Sequence, residues 1–273
     1  MPELPEVETV RRGLVQVMEG RRFVRVRLNR PDLRFAFPDH FTDRLTGQTL
    51  DRLDRRAKFL IGELSSGERL LMHLGMSGSF IVGGARAKQN PKHDHVIFEM
   101  SGGGSVIYND PRRFGFMELL APGEEGRLAE LGPEPLSNRF NGLALAAALE
   151  GRKSPVKTAL LDQRIVAGLG NIYVCEALYA AHILPHRPAG SLTETECEAL
   201  VQQIKAVLAR AIAAGGSSLK DFVGTQGTLG YFQHSFFVYD RGGQDCLSPD
   251  CSGVVERLKQ SGRSTFFCPR CQK

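Results

Sequence analysis

Four cysteines crowd the last 28 residues: Cys246, Cys251, Cys268 and Cys271, spaced C-x4-C, then sixteen residues, then C-x2-C. Each close pair offers two thiolates from one tight turn, and two such turns complete a tetrahedral zinc site. Two disulfides are the rival. The acidic start, MPELPEVETV, holds no apolar signal core, so we expect no secretory peptide and reduced thiols. A segment of about 30 residues buries too little surface to fold unaided, and zinc would supply on the order of 10 kcal/mol. With four protein ligands the expected metal is one structural Zn2+. Between the pairs, Val254, Val255 and Arg257 precede the turn Gln260-Ser261-Gly262-Arg263, and Thr265, Phe266 and Phe267 follow it. That pattern reads as a hairpin with a basic tip. Arg263 there is either a solvated loop residue or an arginine set to enter a nucleic-acid groove.

The other end of the chain offers a second chemistry. Removal of Met1 would leave Pro2 as a secondary amine. Unprotonated, such an amine attacks an electrophilic sugar carbon and gives a cationic iminium. The iminium draws electrons, makes the neighbouring proton acidic and permits elimination. Glu3 and Glu6 supply carboxylates for proton transfer at short range. Carboxylates nearby favour the charged, unreactive amine, while the positive end of the following helix favours the neutral one. Most Met-Pro starts are incidental, so this pattern needs support from elsewhere in the chain.

A third constellation lies in the middle. Ser154-Pro155 reads as a helix cap and first helical position, with Lys157 one turn in. GLGN at 168–171 precedes a second helical pattern, which Asn171 would cap. Glycines beside a helix N-terminus leave backbone N–H groups open to a phosphate, and Arg152, Lys153 and Lys157 add charge nearby. An ordinary helix connection has the same features.

The elements that must position these residues follow from periodicity. Residues 5–19 read as a helix, with Val7, Val10, Leu14 and Val17 on one face and Gly20 as its stop. From about 22 to 120 the period is two, and Val96, Phe98 and Met100 lead through a Gly-rich turn to Val106 and Tyr108, a hairpin in a largely antiparallel sheet. GPEPLSNRF at 132–140 marks a boundary, and helical patterns run on to about 222. Thr193 and Glu196 form a capping-box signature. Cys197, Leu200, Val201, Ile204, Val207, Leu208 and Ala211 make one apolar stripe, the longest expected helix. Cys175 and Cys197 read as core thiols. The Gly-punctuated stretch 215–232 reads as a linker or lid. The expected domains are 1–132, 133–232 and 233–273.

Composition narrows the class. The chain has 273 residues, 42% hydrophobic and 24% charged, which excludes disorder over most of its length. No apolar run reaches the roughly 18 residues a membrane helix needs. The net charge of +5 is mild, but 26 of the 35 basic residues are arginine, whose planar fork suits phosphates and base edges. A GC-rich genome gives the same bias.

Taken together, MPELPEVETVRRGL, RRAKFL, HLGMSGS, KHDHV, NDPRRFG, LGPEPLS, GLGNIY and RSTFFCPRCQK, in this order from first residue to last, resemble the bacterial formamidopyrimidine-DNA glycosylase family. The resemblance implies an α+β chain: an N-terminal β-sandwich with a leading helix, a helix–two-turn–helix domain and a C-terminal zinc ribbon. It implies excision of oxidised purines, notably 8-oxoguanine and formamidopyrimidines, from double-stranded DNA, and cleavage of the resulting abasic site by β,δ-elimination. By motif, Pro2 would be the Schiff-base nucleophile, Glu3 its acid/base partner and Glu6 an assistant. Lys58 would serve proton transfer or phosphate contact, and Arg263 δ-elimination. His73, His93, Arg112, Arg152, Lys153, Lys157 and Asn171 would contact DNA. Met76, Arg112 and Phe114 look like the wedge that fills the gap when a base leaves the stack; the flanking Gly75, Gly78 and Gly115 favour tight turns over core packing. Lys220 and Tyr231 would cover the flipped purine. The family's first cysteine pair is C-x2-C, so two extra residues lengthen that loop here. A second metal at His93 and His95 is the weaker explanation of those residues. No organic cofactor or membrane is implied, and a monomeric, cytoplasmic, nucleoid-associated bacterial protein is expected. The alternatives are an endonuclease VIII-like enzyme for oxidised pyrimidines, a non-catalytic DNA-binding protein on the same scaffold, and, weakest, a zinc-ribbon RNA-binding protein.

Overall fold

The computed structural model of the chain describes residues 1–84, 90, 92–217 and 230–273. Contacts divide the chain into two units: Met1–Ala129 with Ala214–Tyr231, and Glu130–Ala213 with Phe232–Lys273. The expected boundaries set 215–232 with the helices and the ribbon apart. Instead, Ser217 bonds to Glu6 in the first unit, and the ribbon shares a core with a helix of the second.

In the first unit, α1 (Leu4–Met18) buries Leu4, Val7, Val10, Leu14 and Met18 along one face. The strands are β1 (Arg21–Leu28), β2 (Thr49–Arg56), β3 (Phe59–Leu64), β4 (Arg69–His73), β5 (Ser79–Gly84), β6 (Asp94–Met100), β7 (Gly104–Asn109) and β8 (Phe116–Leu120), with a short helix α2 (Phe41–Leu45) after β1. Every pairing is antiparallel, in the order β5-β7-β6-β1-β2-β3-β4-β8. The two layers share β1. Arg21 and Arg22 pair with β2, whereas Phe23–Leu28 pair with β6, with a register shift between Phe23 and Arg25. Such an irregularity bends a strand and increases its twist, which lets one hydrogen-bonded series fold over a common core. Phe23, Leu53, Leu60, Phe80, Phe98 and Tyr108 meet there, with the apolar face of α1.

The second unit is helical: α3 (Gly142–Leu149), α4 (Val156–Leu160), α5 (Asn171–Ala180) and α6 (Glu194–Ala213), followed by the hairpin β9 (Glu256–Gln260) and β10 (Arg263–Phe267). The expected capping box forms at α6. Thr193 N–H donates to Glu196 Oε2 (2.8 Å), and Glu196 N–H donates to Thr193 Oγ1 (3.2 Å). The Arg187 guanidinium clamps the same carboxylate and holds Glu196 down to about 2. Cys197, Leu200, Val201, Ile204, Val207, Leu208 and Ala211 are all buried, as their spacing predicts. Two helix starts differ from expectation. Pro155, not Ser154, takes the cap of α4, where it bridges Pro188. Gly170 caps α5, and Asn171 is its first helical residue. Glu176 on α5 is buried and accepts the backbone N–H groups of Phe237, Val238 and Tyr239. Burial pushes its carboxyl up against those three bonds, and the segment leading into the ribbon is thereby tied to the helix. No helix among the described residues is long and apolar enough to cross a membrane.

Candidate active site

The start of α1 is built from the PELPE motif. Glu3 occupies the N-cap in an extended conformation, and Glu6 reaches back so that its Oε2 accepts Glu3 N–H at 2.9 Å. Pro2, Glu3 and Glu6 are buried, the two carboxylates at 3% and 2% exposure. The other oxygen of Glu6, Oε1, accepts from Ser217 N–H (2.8 Å) and Ser217 Oγ–H (3.0 Å). Both Glu6 oxygens therefore hold backbone in place. Through these bonds Glu6 ties Glu3 to Ser217 at the head of α1.

Lys58 sits in the two-residue turn between β2 and β3, where Arg56 pairs with Phe59. Ala57, first in that turn, has φ +54°, a conformation that costs a residue with a Cβ. Arg55 holds it there: its Nη1 donates to the Ala57 carbonyl (3.0 Å) and its Nε to Glu8 Oε2 (3.2 Å). Glu8 also binds Arg11 through two bonds and Arg12 through one. Burial pushes the Glu8 carboxyl up, but the three guanidinium groups outweigh it and leave it below its ordinary value. Lys58 is 7% exposed, so this turn fixes a largely buried ammonium.

His73, opposite Phe59 on β4, stacks on Phe116 with centroids 5.2 Å apart. Burial, and then the charges of Lys58, Arg34 and Arg127, hold it down to about 4. It is neutral near pH 7. Its Nδ1 lies 3.1 Å from Gly75 N–H and accepts that proton, so Nε2 carries the hydrogen. Nε2 is a donor of the kind a phosphate oxygen accepts.

Met76, Arg112 and Phe114 lie on two loops of the same unit. Met76 is half-buried; Arg112 and Phe114 are exposed, and the Arg112 guanidinium lies 5.1 Å from the Phe114 ring centre. Phe114 is therefore no core residue. The loops touch closely because Gly75, at φ +61°, has no side chain: a Cβ there would stand 2.2 Å from the Phe114 carbonyl carbon. Gly115 leaves room for the Tyr108 hydroxyl, which a Cβ would meet at 1.7 Å. Asp110 Oδ1 accepts from Ser77 Oγ–H (2.6 Å), and Oδ2 accepts from Gly115 N–H (2.8 Å). Burial and then Asp110 push the Tyr108 phenol well up. Spacing alone does not identify Asp110, although it stands inside NDPRRFG.

In the second unit the four cysteine sulfurs lie within 4.8 Å of one another, with Cys251–Cys271 at 3.3 Å, Cys246–Cys271 at 3.6 Å and Cys251–Cys268 at 3.8 Å. None is in a disulfide. Tetrahedral zinc–thiolate bonds of about 2.3 Å put sulfurs roughly 3.7 Å apart, so the set fits one structural zinc. The lengthened first loop closes through a bond from Cys251 N–H to the Ser248 carbonyl (3.2 Å), with Asp250 at φ +61°. The ribbon presents Arg263, exposed, at the start of β10.

Lys157 corrects an expectation. Its side chain is 0% exposed, and Nζ donates to Thr265 Oγ1 (2.6 Å) and the Ser264 carbonyl (3.1 Å). No surface is left for a phosphate. Asn171 likewise turns its Nδ2 to the Ser264 carbonyl (2.9 Å) instead of capping its helix. Both residues fix the strand that carries Arg263. Arg152 and Lys153 are exposed, as phosphate contacts require, and His93 is half-buried beside Asp110, whose N–H it accepts through its carbonyl. His95 is buried with Nε2 on the Asp110 carbonyl (2.8 Å), so packing accounts for it. Tyr231 is 67% exposed; Lys220 lies outside the described residues.

A β-layered unit that buries an amino-terminal Pro-Glu pair, and a helical unit that carries a zinc ribbon with an exposed arginine, define a zinc-ribbon protein of the helix–two-turn–helix class. Three family models match in succession: formamidopyrimidine-DNA glycosylase N-terminal domain over residues 1–117, its H2TH domain over 131–223, and the zinc finger found in FPG and IleRS over 246–273. The chain belongs to the formamidopyrimidine-DNA glycosylase family. It is 58% identical to the formamidopyrimidine-DNA glycosylase of Rhodopseudomonas palustris (strain BisB18) over all of both chains. Among solved structures, the Fpg protein of Thermus thermophilus matches with a TM-score of 0.88 and 40% identity, covering 99% of this chain and 98% of that one. A Lactococcus lactis Fpg mutant in complex with DNA containing Fapy-dG matches with a TM-score of 0.90 and 34% identity, over the whole of both chains.

Proposed function

We propose that this protein is a bifunctional DNA glycosylase and abasic-site lyase of base excision repair, acting on oxidised purines in duplex DNA. The buried Pro2-Glu3 pair at the head of α1 carries this reading, because removal of Met1 would turn the Pro2 nitrogen into an amine next to a carboxylate, in a family of glycosylases. A monomeric state and a cytoplasmic location belong to the same reading.

After removal of Met1, the Pro2 nitrogen bonds to C1′ of the damaged nucleotide as the C1′–base bond breaks, and the base leaves with a proton. The nitrogen lone pair then opens the sugar ring to an iminium, and O4′ takes a proton for which Glu3 is the donor. Loss of the C2′ proton expels the 3′ phosphate. Loss of the C4′ proton then expels the 5′ phosphate, and water releases the remnant from Pro2. Lys58 and neutral His73 serve as donors to phosphate oxygens, and Arg263 stabilises the leaving 5′ phosphate. The zinc holds the ribbon that presents Arg263 and takes no part in the bond changes.

Borohydride reduction of the iminium during reaction with an 8-oxoguanine duplex tests the proposal. A covalent protein–DNA adduct is expected, and Pro2→Gly should lose it. Cleavage without an adduct in the unaltered protein would require a different nucleophile. A panel with 8-oxoguanine, formamidopyrimidine and thymine glycol decides the substrate class; a preference for thymine glycol would move the protein to the pyrimidine-directed alternative.

A further inference from the structure

Asp110 is fully buried, yet no arginine or lysine among the described residues pairs with it. A carboxylate removed from water without a counter-ion is costly unless donors saturate it. Five donors meet this one residue. Its side chain accepts from Ser77 Oγ–H, Gly115 N–H and the Tyr108 hydroxyl (3.3 Å). Its carbonyl oxygen is approached by His95 Nε2 (2.8 Å) and Arg113 N–H (3.2 Å).

The donors come from both loops that bear the wedge residues. Ser77 follows Met76 directly, and its Oγ accepts Arg112 N–H at 3.1 Å while donating to Asp110. Gly115 follows Phe114 directly. Arg113, between Arg112 and Phe114, is held at φ +58°, a strained conformation for a residue with a Cβ. The loop Asp110–Gly115 is thus closed at one end by the Asp110 carbonyl and at the other by its side chain.

We propose that Asp110 is a positioning residue for base extrusion: it locks Met76, Arg112 and Phe114 into one rigid wedge. This rests on the reading of those three residues as the wedge. Displacing an inserted side chain by about 1 Å is enough to cost on the order of 10²-fold in rate. The effect falls on lesions that must first leave the stack. A preformed abasic site has no stacked base to extract.

Asp110→Asn keeps the volume but brings an N–H₂ group against donors. Expected is a fall of about 10²-fold in 8-oxoguanine excision, with cleavage of a preformed abasic site near that of the unaltered protein. Ser77→Ala removes one donor to Asp110 and the link through it to Arg112, and should show the same split more weakly, in a protein whose other Asp110 bonds remain. Unchanged excision in both variants, or equal loss on both substrates, overturns the proposal. Met76→Ala and Phe114→Ala separate it from the reading beneath it. If those two leave excision untouched, the wedge reading fails; if they slow it while Asp110→Asn does not, Asp110 alone is misassigned.

Discussion

Lys157 Nζ and Thr265 Oγ1 are 2.6 Å apart, both fully buried, so a lysine on α4 is spent on the strand that begins with Arg263. A residue type usually counted as a phosphate ligand here acts one step away from the DNA. Replacing Lys157 with Met leaves the Thr265 hydroxyl without its donor and should destabilise the protein by about 1–3 kcal/mol, read as a fall in unfolding midpoint. Asn171 still holds the Ser264 carbonyl, so the fold survives. The share of β- over β,δ-elimination product should rise, with the borohydride adduct retained. An unchanged product ratio would separate Lys157 from Arg263.

Removing zinc should unfold the ribbon and spare the first unit. A metal site worth on the order of 10 kcal/mol is most of what so small a module has. Cys268→Ser, or a strong chelator, is expected to abolish duplex binding while the sheet signal in circular dichroism persists. A chelated protein that binds DNA normally would disprove the staple.

The depressed His73 sets an acid limit. Its folded value is about 4 against 6.5 when unperturbed. Above pH 6.5 both states are neutral and the fold keeps its full stability. As pH falls from 6.5 towards 4, the unfolded chain takes a proton that the folded one refuses, and about 2–4 kcal/mol is lost. His73→Asn keeps an acceptor for Gly75 N–H and removes the titration. Urea midpoints measured between pH 7 and pH 4 should fall less steeply in that variant.

Gly75→Ala places a methyl group against the Phe114 backbone. The loops must part, at about 1–3 kcal/mol. Excision of 8-oxoguanine should suffer more than cleavage of an abasic site, and the thermal midpoint reports the strain independently.

What the residues alone reveal is whatever a short stretch decides for itself. The Thr193–Glu196 box and the α6 stripe depend on neighbours three and four positions apart. The cysteine set depends on two tight turns, and a left-handed Asp250 absorbs the two extra residues between Cys246 and Cys251. Lys157 escapes such reading because its partner lies 108 positions on, and nothing local marks a lysine for burial. Asn171 escapes it for the same reason, since the Ser264 carbonyl that accepts its Nδ2 lies 93 positions on. Glu6 carries a carboxylate in the expected place, but Ser217, 211 residues away, occupies it. Asp110 and the Glu8–Arg55–Ala57 link are invisible in the sequence, because a hub is defined by loops that only the folded sheet brings together.

The sharing of β1 between two layers bears on the order of assembly. β2, β3 and β4 pair with immediate neighbours in sequence, whereas β6 must close a long loop to reach β1. Short loops close at lower entropic cost than long ones. In pulsed hydrogen exchange, amides of the β2–β3–β4 meander should gain protection first. Those of Phe23–Leu28 should follow with β6, so the strand common to both layers is half-formed for longest, and its apolar Phe23 and Val26 are the surface a chaperone would meet.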